Sequence, residues 1–193
     1  MNRGTGYYVI RAKSLQEGFA MIVRLPSPAK AFVAGVAAVT SAVVLLFGVA
    51  GAPRAMAADD RLNFTATTLN GAPFNGAGLQ GKPAVLWFWT PWCPFCNAEA
   101  PSVSHVAATN PNVTFVGIAA HSDVGAMQGF VAKYGLNFTN LNDADGSIWA
   151  RYNVPWQPAW VFYRADGSST FVNNPTSAMS EQDLAGRVAA LAS

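Results

Sequence analysis

The chain holds two cysteines, and both fall in Trp92-Cys93-Pro94-Phe95-Cys96. Two thiols at this spacing can close a reversible disulfide, so the chemistry on offer is thiol–disulfide exchange. Such exchange needs one thiolate and one thiol close by to resolve the mixed disulfide. The motif follows an unbroken apolar run, Ala84-Val85-Leu86-Trp87-Phe88-Trp89, and opens a helical stretch. A helix start presents unpaired backbone N–H groups and the positive end of the helix dipole, which stabilise a thiolate. Cys93 is therefore the expected nucleophile. Pro94 suits the first helical turn, where its missing N–H costs nothing. Cys96, one turn deeper, is the expected resolving cysteine.

Other uses of a cysteine pair fit the residues less well. A purely structural bridge would close so small a loop that it removes little unfolded-state entropy. Zinc usually takes four ligands, and His105 and His121 stand at no recognised spacing, so no metal is expected. Haem attachment needs a histidine after the second cysteine, where Asn97 stands. Thr90-x-x-Cys93 resembles part of a peroxiredoxin site, but that site also carries a proline where Leu86 stands. No cofactor is expected beyond the Cys93–Cys96 disulfide itself.

The elements that must hold the dithiol can be read from the pattern. Alternation over 62–67 predicts a half-buried strand. Pro73 and Phe74 lie in a turn-rich stretch and suit a short edge strand. The apolar run 84–89 predicts a central strand buried on both faces. A helix is expected over 94–108 and a second central strand over 113–119. Ser122 or Asp123 can cap a helix whose Val124, Met127, Val131 and Tyr134 recur at helical spacing before Gly135 ends it. A short strand at 138–141 and one or two helical turns at 149–152 follow. A hairpin is expected from 160–163 and 170–172 around Asp166-Gly167. Ser180-x-x-Asp183 starts the last helix, with Leu184, Val188 and Leu191 on one face. This order predicts an α/β domain with a mixed sheet and helices on both faces.

Charge divides the chain unevenly. The total of +2 comes from residues 1–57, which carry six basic residues and one acid, whereas 58–193 carry six basic residues and nine acids. The domain is thus slightly acidic, and no nucleic-acid partner is expected. Between Lys30 and Arg54 lie 23 uncharged residues, followed by Ala55-Met56-Ala57. Basic residues, an apolar run and a small-x-small site make a Sec-type secretory signal peptide, with cleavage expected after Ala57. There is no twin-arginine pair. An uncleaved membrane anchor is the competing reading of that run. Met21 opens a more ordinary leader than Met1 does and is the expected true start. The expected organisation is a leader over 1–57 and one domain over 58–193, secreted or held in the cell envelope.

With these residues in hand, the chain resembles the thioredoxin superfamily, in its TlpA/DsbE-like branch of exported thiol–disulfide oxidoreductases. The likeness covers 58–193. It rests on the aromatic strand into the CxxC, Asn97-Ala98-Glu99-Ala100-Pro101, Asp145-Gly146 to Tyr152-Asn153-Val154, and Gln157-Pro158 before a strand. Trp89-Thr90-Pro91-Trp92-Cys93-Pro94-Phe95-Cys96 is similar to the secreted DsbE-like wording of mycobacteria. The resemblance implies a thioredoxin fold with an N-terminal β-hairpin and a central β-α insert. It implies that Pro158 is the cis-proline beside the dithiol, with Gln157 setting local contacts and Pro155 the rival for that place. It also implies that Pro101 kinks the active-site helix by removing one intrahelical bond.

Two departures bear on function. Thioredoxin carries a buried aspartate where Trp87 stands here. Glu99, three residues after Cys96, could act on the Cys96 proton or be a solvated helix residue. The Gly-Val-x-Gly stretch and the acidic residue after the cis-proline that cytochrome-maturation reductases carry are not matched by Asn153-Val154-Pro155-Trp156-Gln157-Pro158-Ala159. These features, with an oxidising exported compartment, lean toward an oxidant that forms disulfides in secreted proteins. A reductase of the cytochrome c maturation type, or a secreted binding or antigenic module, are the alternatives. Expected partners are reduced or unfolded secreted proteins and a membrane protein that resets the dithiol. Trp92 and Trp156, flanking the two site loops, could form an apolar platform for such substrates.

Overall fold

The computed structural model describes residues 59–191. The expected leader, its expected cleavage site and Met21 lie outside the described residues. A hairpin of β1 (Thr65–Thr68) and β2 (Pro73–Asn75) comes first, followed by β3 (Ala84–Trp89), α1 (Pro94–Thr109), β4 (Thr114–Ala120) and α2 (Val124–Tyr134). The chain continues through β5 (Thr139–Asp143), α3 (Ser147–Arg151), β6 (Ala159–Tyr163), β7 (Ser169–Asn173) and α4 (Glu181–Ala189). All seven strands join one sheet in the order β2-β1-β5-β4-β3-β6-β7. β3, β4 and β5 run parallel, while β6 is antiparallel to β3 and β7 to β6. The expected α/β architecture is present, with the hairpin at one edge and β5–α3 inserted between α2 and β6.

Alternation along β3 builds the two halves of the core. Val85, Trp87 and Trp89 face Val103 of α1, Phe130 of α2 and Leu184 of α4. Leu86 and Phe88 face Trp149, Tyr152 and Leu62 on the other side. Every residue of β3 is buried, because helices and turns cover both faces. The cover is unequal: three long helices lie on one face, and α3 with short turns on the other. β4 passes close beneath side chains at Gly117, where an added Cβ would lie 2.7 Å from Trp89 Nε1 and collide with Asn140.

Two local expectations are corrected. The strand expected over 62–67 begins only at Thr65, because Asp60–Leu62 forms a 3-10 turn. The Asp59 carboxylate accepts the Arg61 N–H at 2.9 Å and fixes that turn. The alternation reflects Leu62 and Phe64 both reaching the core, not continuous extended chain. On α2, the buried residues are Met127 and Phe130, while Val124 is exposed in the first turn. Asp123 rather than Ser122 caps this helix, and Gly135 ends it in the left-handed conformation.

The start of the described chain is pinned firmly. Arg61 Nη2 lies 2.6 Å from Asp59 Oδ2 and donates to Ser169 Oγ at 2.8 Å. Tyr163 OH donates to Asp59 Oδ2 at 2.9 Å. The Arg61 hydrogen bonds hold the Asp59 carboxyl below the usual carboxylate range.

Candidate active site

β3 ends at Trp89, and Thr90-Pro91-Trp92 turn the chain into α1. Cys93 is the N-cap of that helix, in extended conformation, and Pro94 follows at the first helical position. The Cys93 Sγ accepts the Cys96 N–H at 3.2 Å, which satisfies one orphan donor of the helix start. Both cysteines are free thiols and buried, Cys93 2% exposed and Cys96 0%. A hydrogen bond from the Cys96 side chain, with the amides of Cys96 and Phe95, brings the Cys93 thiol down to about 6. Burial, then the bond to Cys93, push the Cys96 thiol far up. The pair is thus split into one acidic and one reluctant thiol. Pro94 is exposed, and Phe95 is partly buried against the core.

Glu99 is not a solvated helix residue. It is 2% exposed, on the inner face of α1. Trp87 Nε1 donates to its Oε1 at 2.6 Å, and the Met179 N–H donates to its Oε2 at 2.9 Å. Burial pushes this carboxyl up to about 8 despite those two bonds. The helix that carries it continues through Pro101 to Thr109.

The second site loop lies at the same end of the sheet. Ala159 pairs with Phe88, so the chain just before β6 meets the chain just after β3. The Gln157–Pro158 peptide bond is cis, and among the described residues Pro155 is not in a cis bond. Gln157 and Pro158 are buried. Asn173 Nδ2 donates to the carbonyls of Trp156 at 2.7 Å and Pro158 at 3.1 Å, tying this loop to β7.

Trp92 and Trp156 are 58% and 56% exposed, whereas Trp87, Trp89, Trp149 and Trp160 are core. Trp92 is not loose: its Nε1 donates to the His121 carbonyl at 3.0 Å. His121 holds a left-handed φ of 55° and stands edge-on to Trp149. Val124, also exposed, follows β4 at this same end. Sequence reasoning missed His121, Val124 and the role of Asn97. Asn97 sits next to the motif and donates Nδ2 to the carbonyls of Pro91 and Cys93. Its place directly after the motif was the one available signal. Among the described residues, no group of three or more His, Cys, Asp and Glu side chains could hold a metal ion.

Residues 57–178 match the family model described as the AhpC/TSA family. The chain is 78% identical over 173 residues to the soluble secreted antigen MPT53 of Mycobacterium tuberculosis, covering 90% of this chain and all of that one. Among solved structures, it is 83% identical to a secreted M. tuberculosis disulfide oxidoreductase homologous to E. coli DsbE. That match has a TM-score of 0.69 and covers 69% of this chain and 100% of the other. The structure of M. tuberculosis dsbF in mixed oxidised and reduced forms matches at 50% identity and a TM-score of 0.67, covering 70% of this chain and 99% of that one. The chain belongs to the AhpC/TSA family, as a thiol–disulfide oxidoreductase with the thioredoxin fold.

Proposed function

We propose that this oxidoreductase is an oxidant, which passes the Cys93–Cys96 disulfide to reduced cysteines of secreted proteins. The observation that carries this is the Cys93 sulfur at the N-cap, accepting the Cys96 N–H at 3.2 Å. Donors there stabilise the thiolate and hence the reduced protein, which makes the disulfide a stronger oxidant. A substrate thiolate attacks Cys93 Sγ, the Cys93–Cys96 bond breaks, and a mixed disulfide with Cys93 forms. The electron pair leaves on Cys96, whose buried sulfur takes a proton. Glu99, one helical turn on and held partly protonated near neutral pH by burial, is the proton source. A second substrate thiolate then attacks the substrate's own sulfur and releases Cys93 as a thiolate. The substrate ends oxidised by two electrons and the protein reduced by two.

In this reading Pro158 and Gln157 present backbone to the substrate chain beside the dithiol. Trp92 and Trp156 offer it apolar surface, and Pro94 and Phe95 shape the helix start. The partners are reduced secreted proteins and a membrane protein that re-oxidises the dithiol. Residues 1–57 are a secretory leader cleaved after Ala57, which agrees with the relative's being a secreted antigen. Titration in glutathione buffers, read by tryptophan fluorescence, tests the direction. A potential near about −120 mV supports an oxidant, and one near about −270 mV makes the protein a reductant.

A further inference from the structure

We propose that Asn97 is a positioning residue for thiol–disulfide exchange, holding the Pro91–Cys93 backbone so that the Cys93 sulfur stays over the first amides of α1. The side-chain amide of Asn97 is used on both sides. Its Nδ2 donates to the Pro91 carbonyl at 3.0 Å and to the Cys93 carbonyl at 2.9 Å. The same Cys93 carbonyl also accepts the Asn97 backbone N–H at 3.0 Å, so two donors fix one peptide plane. On the other side, Asn97 Oδ1 accepts from Tyr134 OH at 2.7 Å and from Lys133 Nζ at 3.4 Å. Donors on one side and acceptors on the other leave only one way round for the amide.

This arrangement links the last turn of α2 to the turn that carries the nucleophile. Asn97 points at no reacting atom. It acts through the backbone, because the Cys93 sulfur meets the amides of residues 95 and 96 only while the peptide plane of Cys93 is held. Trp92 is held from a second side by the His121 carbonyl. Pro91, Trp92 and Cys93 are thus each tied to a neighbouring element by a bond that is not part of a helix or strand. An apolar residue in place of Asn97 would leave two carbonyls of this turn without that donor, and the turn could then relax away from the helix axis.

The inference rests on the exchange reading, but its first test needs no substrate. In the reduced protein, the rate at which iodoacetamide alkylates Cys93 is followed against pH, with the labelled site identified by mass. Asn97→Ala should move the midpoint up by about one pH unit, a tenfold change in the thiolate equilibrium. Tyr134→Phe, which keeps the ring and removes only the hydroxyl, should move it in the same direction by less. Asn97→Asp should move it furthest, since it faces two carbonyls with an acceptor and adds negative charge. The equilibrium with glutathione should shift by the same tenfold for Asn97→Ala, about 30 mV toward the reducing side. Lower melting temperatures with unchanged alkylation midpoints in all three variants would overturn the proposal and leave Asn97 a structural residue. If wild-type protein exchanges with no disulfide yet its midpoint shifts as stated, the exchange reading fails and the positioning role stands.

Discussion

The indole of Trp87 donates its N–H to the carboxylate of Glu99 at 2.6 Å, in the interior of the domain and one helical turn from Cys96. The site that lacks an acid on β3 receives one from α1, and the strand residue supplies the bond that holds it.

Glu99 should make stability depend on pH. Burial lifts its folded-state value to about 8, above the ordinary carboxyl value of 4.5. A group raised in this way stabilises the fold fully below about 4.5, and that contribution is lost as pH rises through about 8. Cys93, lowered on folding, works in the opposite sense between about 6 and 9. Urea unfolding of Cys93→Ser should therefore show stability falling from pH 5 to pH 8, by roughly 1 kcal/mol or more. Adding Glu99→Gln should remove most of that slope. An unchanged slope would place the titration elsewhere, with Asp143 the next buried carboxyl to examine.

Glu99→Gln should also slow the attack of substrate on Cys93, in which Cys96 leaves and takes a proton, more than the later release of Cys93. Stopped-flow kinetics with a reduced peptide should show a drop of about 10²-fold in the step that protonates Cys96, the usual size for a lost general acid. Equal slowing at acid and neutral pH would argue against a proton-transfer role.

Cys93→Ser should abolish oxidation of reduced, unfolded substrate. Cys96→Ser, given a disulfide-bonded peptide, should accumulate a mixed disulfide visible on non-reducing gels: the Cys93 thiolate attacks one peptide sulfur, the other leaves as a thiol, and no Cys96 thiolate is there to displace the bound peptide. Residual oxidation by Cys93→Ser would assign the nucleophile to the other cysteine.

Trp92→Ala and Trp156→Ala should weaken action on protein substrates without unfolding the domain, since both rings are more than half exposed. An aromatic contact is worth about 1 kcal/mol, so each variant should lose about fivefold in kcat/KM. Exchange with glutathione, too small to use the platform, should be nearly unchanged. Equal losses for both substrates would mean that the rings act on the dithiol and not on the bound chain.

Gly117→Ala should destabilise the domain while leaving the dithiol chemistry intact. The new Cβ would meet Trp89 Nε1 at 2.7 Å and the Asn140 side chain. Overpacking of this kind costs about 1–3 kcal/mol. Thermal unfolding should show a melting temperature lower by about 3–5 °C for each kcal/mol lost.

The strands and helices were legible where a single element sets its own pattern. The run 84–89, the Pro94 start of α1, the glycine stop of α2 and the Asp166-Gly167 hairpin all follow from local rules. So did the dithiol, because CxxC at a strand–helix junction is a compact signal. Glu99 was ambiguous because its two donors, Trp87 and Met179, lie 12 and 80 residues away in sequence. Asn97 was unreadable as a brace for the same reason: Tyr134 stands 37 residues on. Val124 matched the helical repeat, yet it opens α2 just past the end of β4 and is exposed there, and no spacing rule says where a neighbouring element ends.

The Asp59–Arg61–Tyr163–Ser169 cluster has a consequence for how the protein can be held. Tyr163 pairs with Ala84 at the start of β3, whereas the dithiol follows the other end of that strand. A strand of this length spans about 17 Å. Anything joined to the chain ahead of Asp59, whether a lipid surface, an affinity tag or a biosensor chip, is therefore attached at the pole opposite Cys93. Immobilised from that end, the molecule would present its reactive sulfur outward to the solution.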